Sequence, residues 1–384
     1  MASEPGMVVQ TGILDRIRGW LDRLPGSHRF RLWAARFPLT RPIARRRARA
    51  LFDLMAGFVY SQVLLACVRL RVFEILAEGP QTLPALAPRL GLGLESTARL
   101  LDAAVALRLL SLRGGQRYAL GPLGGALVGN QALLAMIEHH AMLYADLADP
   151  VALLQQGEGR GELARFWPYA DAAQPGLSRE AGVAHYSALM SASQPLVADE
   201  VLDAYPFAQR QCLLDVGGGE GTFLLAVAQR APGLSLQLFD LPPVAERARA
   251  RFTEAGLASR ATAFGGSFLS DALPQGADVV TLVRVLHDHD DAAVLAILRA
   301  IRRIMPTDGE LVIAEPMAGT PGAEAMGDAY FGFYLLAMGS GRARTPERLG
   351  QLLRAAGFDS GRLVPTRLPI QTRLLVARPR AAEG

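Results

Sequence analysis

Cysteine is nearly absent. Only Cys67 and Cys212 occur in 384 residues, far apart and in no C-x-x-C pair. That excludes a disulfide-stapled scaffold and a cysteine-based zinc site, and makes a reducing cytoplasm the expected compartment. Long apolar runs are missing too: no window holds the roughly 18 uninterrupted apolar residues that signal a spanning helix. The nearest stretch, 58–68, is broken by Ser61 and Gln62, so a soluble or peripheral protein is expected. The N-terminus lacks the continuous apolar segment of a secretory signal. Lysine does not occur at all, which reads as codon bias rather than functional choice. No internal repeat or low-complexity tract is visible beyond one arginine-rich arm.

What is present is ordinary for a globular chain, 51% apolar and 20% charged, with room for two cores. The net charge of +4 is local in origin: residues 15–49 contain eleven arginines against Asp15 and Asp22. Trp20, Phe30, Trp33 and Phe37 are interleaved with them. A solvated arm is one reading; cations mixed with aromatics also suit an anionic membrane surface. Nucleic acid is not expected, because no supporting motif accompanies the charge.

The chain is organised around residues 211–240, QCLLDVGGGEGTFLLAVAQRAPGLSLQLFD. A short apolar run ending at Asp215-Val216 reads as a buried parallel strand, followed by a glycine turn and an amphipathic helix. Glycines 217, 219 and 221 permit a tight turn and a close approach of ligand to backbone. A second strand ends on Asp240, placed to accept from ribose hydroxyls. Dinucleotide sites share this plan, but Asp215 and Glu220 would repel a pyrophosphate and suit a cation. S-adenosylmethionine, with a sulfonium and an ammonium, is the expected cofactor.

Ahead of that unit, a strongly apolar helix over 48–77 is expected to be buried, a second subunit being one candidate cover. Helices at 83–90 and 94–110 and a Gly114-Gly115 hairpin follow, a winged-helix pattern. Its second helix is mostly Ala and Leu, so dimerisation rather than DNA binding is expected. A further helix at 131–153 carries adjacent His139 and His140, which diverge by about 100° and cannot easily share a metal. The expected division is an arm at 1–50, a helical winged-helix domain at 51–183 and an α/β doubly wound domain at 184–384.

In such sheets ligands sit at the carboxyl ends of the strands. Gly217–Gly221, Asp240, Ser267, His287 and Glu315 fall there. His287 ends the fourth strand and Glu315 the fifth, so a carboxylate stands ready to fix the imidazole's tautomer. The acidic run after His287 is read as helix capping by Asp290 or Asp291 rather than as a metal site.

These segments carry a resemblance. LLDVGGGEG, LQLFDLP, GGSF, RVLHDHDD, GELVIAEPM and GRARTPERLGQLLRAAGF resemble the S-adenosylmethionine-dependent O-methyltransferases that include the plant phenol enzymes. The N-terminal half resembles that family's dimerisation domain. The resemblance implies a Rossmann-like catalytic domain, a homodimer and no metal. It implies His287 as base, Glu315 as its orienting partner, and Asp215, Gly217, Gly219, Asp240, Leu241, Gly266, Ser267, Phe268 and Arg284 as the cofactor site. Ser267 stands where the family often has an adenine-binding Asp, and Ala343 stands where it has a second histidine-flanking Glu. More narrowly, FDLMAGFVYSQVLLACVRLRVFE and YFGFYLLAMGSGRARTPE are similar to the bacterial O-methyltransferases of acyclic carotenoids, the hydroxyneurosporene (demethylspheroidene) enzymes. This implies a carotenoid C-1 hydroxyl as acceptor, and His140, Met190, Tyr334 and Met338 as pocket residues. Chlorins and phenols remain alternative acceptors, and a winged-helix regulator that senses the cofactor remains an alternative role.

Overall fold

The computed structural model describes residues 23, 26–156, 161–166, 194–195, 197–370 and 372–381. The chain divides into two compact units, Met1–Val128 and Gly129–Gly384. The division falls well before the expected one at 183/184. The reason is local: the helix at 131–146 packs Leu143 with Tyr334, Leu335 and Met338 of the C-terminal half.

In the first unit, α1 (His28–Arg36) is capped by the Ser27 hydroxyl, which accepts from the Phe30 amide. Helix α2 (Arg41–Arg69) has Pro42 in its first turn, where a missing N–H costs nothing. The expected single helix over 48–77 is interrupted: Arg71 takes a left-handed φ of 55° and α3 (Val72–Ala77) restarts after it. Strand β1 (Gln81–Thr82), α4 (Leu83–Leu90), α5 (Leu94–Ala106), β2 (Leu110–Arg113) and β3 (Arg117–Leu120) complete the helix–helix–hairpin pattern. The sheet order is β1-β3-β2, all antiparallel.

The expectation that α2 is buried needs correction. Leu65, Cys67 and Val68 are buried, but Leu51, Phe52, Leu54, Met55, Phe58 and Val59 are exposed on the single chain. An 18-residue window of α2 reaches a mean hydropathy of 1.8, enough by length and composition to cross a membrane, although polar residues interrupt it. A core or interface helix meets the same criterion.

The second unit begins with α6 (Gln131–Asp146), α7 (Pro150–Gln156) and α8 (Glu162–Phe166). Its sheet is built from β4 (Cys212–Val216), β5 (Ser235–Asp240), β6 (Ala261–Gly265), β7 (Val279–Val283), β8 (Glu310–Glu315), β9 (Arg362–Val364) and β10 (Arg373–Ala377). The order is β6-β5-β4-β7-β8-β10-β9, parallel except where β10 pairs antiparallel with β8 and β9. Strand β4 is the switch point: β5 and β6 run to one side and β7 and β8 to the other. A crevice therefore opens outside its carboxyl end.

Alternate side chains feed two layers. Leu213, Val279 and Val312 join one apolar cluster, while Leu214, Val280 and Leu311 join the other. Helices α9 (Thr222–Arg230) and α10 (Pro242–Glu254) contribute to the first, and α11 (Asp291–Ile304) and α13 (Pro346–Ala355) to the second. Both faces are covered, so the strands tolerate near-continuous apolar sequence.

The turn between β4 and α9 depends on glycine. Gly217, Gly219 and Gly221 take φ of 71°, 58° and 79°. At Gly221 a Cβ would also lie 2.6 Å from the Phe252 ring of α10. Gly221→Ala is therefore expected to cost about 1–3 kcal/mol through strain and overpacking, measurable as a lower urea midpoint with an unchanged slope.

Candidate active site

The glycine turn brings its backbone against the end of β5. The Gly219 amide donates to one Asp240 carboxylate oxygen at 2.8 Å, and the Leu241 amide donates to the other at 2.7 Å. Burial nonetheless pushes the Asp240 carboxyl up to about 6, against those two donors. Asp215 lies under the turn, fully buried, and accepts from the Thr281 hydroxyl at 2.6 Å. Its second carboxylate oxygen is buried without a hydrogen-bond partner, and burial raises its pKa to about 7. The unused oxygen lies against Gly218, where a Cβ would come within 2.6 Å of it, and a buried carboxylate so placed under the turn favours a cationic ligand above it.

The acidic lining is narrower than the sequence suggests. Glu220 turns away to α10, where Arg247 donates to it at 2.8 Å and Arg251 stands 3.8 Å off. Its charge is already balanced. The negative character of the turn therefore comes from Asp215 and Asp240.

Beyond β6, the Gly266 amide donates to the Asp240 carbonyl at 2.9 Å. Ser267 lacks the charge of the residue it replaces, but Asp271 folds back: its carboxylate accepts from the Ser267 amide at 2.8 Å. A carboxylate thus reaches this corner from four residues on, which a position-by-position reading misses. The Phe268 ring lies edge-on to His289, with centroids 5.4 Å apart, and closes over Gly217.

The reaction end is built on β7 and β8, adjacent and parallel as expected. Arg284 leaves β7 with a left-handed φ of 59°, uncommon for a residue with a side chain and costly unless the surroundings enforce it. The chain then makes a 3₁₀ turn, Leu286–Asp288. One Glu315 carboxylate oxygen accepts from the Val285 amide at 3.0 Å and the Leu286 amide at 2.7 Å; the other meets Nδ1 of His287. Asp288 approaches the opposite ring nitrogen, its Oδ1 lying 3.2 Å from Nε2. Burial disfavours the charged ring, but Asp288 and Glu315 outweigh it and raise the His287 pKa.

Arg344 holds this turn from the other side. Buried itself, it donates to the Leu286 carbonyl at 2.8 Å, the His289 carbonyl at 2.6 Å and the Asp291 carboxylate at 2.7 Å. Gly341 is required beside it: at φ 84° a Cβ would fall 2.1 Å from the His287 carbonyl. Asp290 caps α11 by accepting from the Ala293 amide at 2.8 Å, and Asp291 is committed to Arg344 and Arg348. The second flanking carboxylate lost at Ala343 is not replaced on Nδ1; Asp288 instead stands at Nε2.

A π-helical turn, Ala325–Tyr330, leads into α12 (Phe331–Met338); such turns recur at functional sites. It sets Phe331 edge-on to His287, with centroids 5.9 Å apart. The Tyr330 hydroxyl meets Nε2 of His140 at 2.8 Å, and the Tyr334 hydroxyl meets Nε2 of His139 at 2.9 Å. The expected pocket residues His140 and Tyr334 thus belong to two neighbouring His–Tyr couples, whose tyrosine rings stack with centroids 5.9 Å apart. No local pattern points to Tyr330 or to the role of His139, because their partners are distant in sequence. Met338 is buried with Leu143 and Leu163; Met190 lies outside the described residues.

Comparison with known proteins agrees with this geometry. Residues 144–359 match the O-methyltransferase domain, and residues 52–130 match the O-methyltransferase dimerisation domain. Demethylspheroidene O-methyltransferase of Cereibacter sphaeroides is 46% identical over 358 residues, covering 93% of this chain and 94% of that protein. The Rhodobacter capsulatus protein of the same name is 44% identical over 376 residues, covering 97% of this chain and 92% of that protein. Among solved structures, human N-acetylserotonin methyltransferase in complex with SAM is similar with a TM-score of 0.72 at 25% identity, across 87% of this chain and 98% of that one.

Glu315 anchors the turn, so its removal has a separable signature. Glu315→Ala leaves two buried amides and Nδ1 without an acceptor, at about 1–3 kcal/mol for each group left unsatisfied. Glu315→Gln, which retains one acceptor oxygen, is expected to lose less in the same urea titration.

Proposed function

Since the chain belongs to the O-methyltransferase family, we propose that it methylates the C-1 tertiary hydroxyl of an acyclic carotenoid, as in spheroidene biosynthesis. The carrying observation is near-half identity to two demethylspheroidene O-methyltransferases over almost the whole chain. S-adenosylmethionine, when bound, supplies a methyl group already activated on a sulfonium.

The residues of this chain divide the remaining work. Asp215, Gly217, Gly219, Asp240 and Leu241 form the turn that accepts the amino-acid and ribose parts of the cofactor. Gly266, Ser267 and Phe268 border its base, and Arg284 shapes the bend toward the reacting end. His287 receives the hydroxyl proton at Nε2, held in orientation by Glu315. A tertiary alcohol is too weak an acid for imidazole to ionise in advance, so proton removal accompanies C–O bond formation. Positioning of acceptor and donor accounts for most of the remaining rate. His140, Tyr334 and Met338 border the acceptor, with Tyr330 and Phe331 beside them.

His287→Ala is expected to retain cofactor affinity by calorimetry and to lower turnover roughly 10²–10⁴-fold. The assay offers methyl-labelled S-adenosylmethionine with hydroxylated carotenoids, chlorins and phenols. Label on the carotenoid supports the substrate; label on a chlorin or phenol instead removes it.

The matched dimerisation domain supports a homodimer, and a second copy accounts for the exposed apolar face of α2 at 51–59. The segment ahead of it suits a membrane surface that holds an apolar substrate. Residues 23–50 contain nine arginines and no acid, and Leu32, Trp33, Phe37, Leu39 and Ile43 are exposed among them. Phe30 and Trp33 of α1 and Phe37 at its C-terminal cap line up in contact, Trp33 and Phe37 stacking at 5.0 Å. Each arginine near an anionic bilayer contributes about 1 kcal/mol, so replacing Arg45, Arg46 and Arg47 by Gln should weaken binding to anionic vesicles by roughly 100-fold. Equal binding to neutral vesicles would exclude this contact.

A further inference from the structure

Both ring nitrogens of His287 face carboxylates. Nδ1 meets Glu315, and Nε2 lies 3.2 Å from Oδ1 of Asp288. The exposures of His287, Asp288 and Glu315 are 7%, 9% and 2%, so water does not separate these charges. Glu315 already accepts two backbone N–H groups on one oxygen, and in that accepting role its other oxygen takes a proton carried on Nδ1. Asp288 approaches Nε2 as a neighbouring charge rather than as a hydrogen-bond acceptor. In a site this buried, a carboxylate at that distance favours a second proton on the ring, carried at Nε2.

The surrounding charges agree with this. Burial opposes protonation of the ring, but Asp288 and Glu315 more than offset it, with Arg284 pushing the other way. Burial raises Asp288 to about 6, although His287 pulls it down; Glu315 adds to the rise and Arg284 opposes it. His289 on the same turn is held down to about 4 by burial and by His287, so it stays neutral. From α12, the Tyr334 phenol is pushed up by burial, with a contribution from Asp288, and stays protonated. None of these neighbours competes for the Nε2 proton near neutrality.

Nε2 is also the nitrogen that must meet an acceptor hydroxyl, because Nδ1 is taken. We propose that Asp288 is a positioning residue that holds a proton on Nε2 of His287 while the site is empty and yields that nitrogen to the acceptor hydroxyl. The Nε2 proton first leaves to solvent. The hydroxyl proton then passes to the vacated Nε2 as its oxygen takes the methyl group. The sign follows: below the pair's pKa Nε2 is blocked, and above it the base is free, so Asp288 sets the acid limb of activity. The inference rests on His287 being the base, but its decisive measurement needs neither cofactor nor acceptor.

The experiment follows the His287 ring by NMR in ¹³C-histidine-labelled, substrate-free protein, from roughly pH 5 to 9. The chain has six histidines, and loss of one signal in His287→Ala assigns the ring. In Asp288→Asn, which keeps the shape and removes the charge, the ring should lose its second proton roughly 1–3 pH units lower than in the parent. Asp288→Ala should move it in the same direction. In methyl-transfer assays the acid limb of kcat/KM should shift down with it. A ring titration that coincides in parent and both variants overturns the proposal, as does a parent ring that never carries the second proton in that range. If the ring shifts but no carotenoid is methylated, the substrate assignment fails and the Asp288 inference stands.

Discussion

One carboxylate bears the geometry of the reacting end. Glu315 terminates β8, and its two oxygens take the Val285 amide, the Leu286 amide and Nδ1 of His287. A group with 2% exposure cannot turn to water for alternative partners. The three donors therefore fix each other: the bend after β7, the tautomer of the ring and the direction of Nε2 are one decision. Arg344 completes it from outside by donating to the Leu286 and His289 carbonyls, which fixes both. The left-handed backbone at Arg284 is the local cost of entering that bend, offset by its surroundings.

The opposite wall of the crevice works by burial rather than by accumulated charge. Asp215 and Asp240 are raised to about 7 and 6 chiefly because the turn seals them from water. A cation brought there restores their ionised forms, so the turn discriminates for positive charge without carrying a full negative charge when empty. Glu220, the acid that the motif most visibly displays, is spent on Arg247 and Arg251. The same topology that places β4 at the switch point sets this wall beside the His287 turn.

Exposed apolar surface falls in two segments of the chain. The stripe at 52–59 lies within the segment matching the dimerisation domain, whereas the arginine and aromatic segment precedes it. Helix α2 runs through both. Its composition alone does not distinguish a span from an interface, since length and hydropathy count apolar residues without asking what covers them.

The sequence by itself determined the strand–turn–helix unit at 212–230, the acid ending β5, the strand ending on Glu315 and the winged-helix pattern; it placed His287 at a strand end, whereas β7 stops at Val283 and His287 sits in the 3₁₀ turn beyond. Each of these is written in neighbouring residues: periodicity, glycine spacing and strand termini act over a few positions. Tertiary structure alone decided which acids remain for a cation, because the partners of Glu220 lie 27 and 31 residues on. It alone paired Tyr330 with His140 and Tyr334 with His139, across nearly 200 residues. It also supplied Asp271 at the corner of Ser267, and turned Asp288 toward Nε2 of its neighbour His287. Hydrogen bonds and burial depend on distance in space, and no local pattern encodes which remote side chain will arrive to satisfy a buried group.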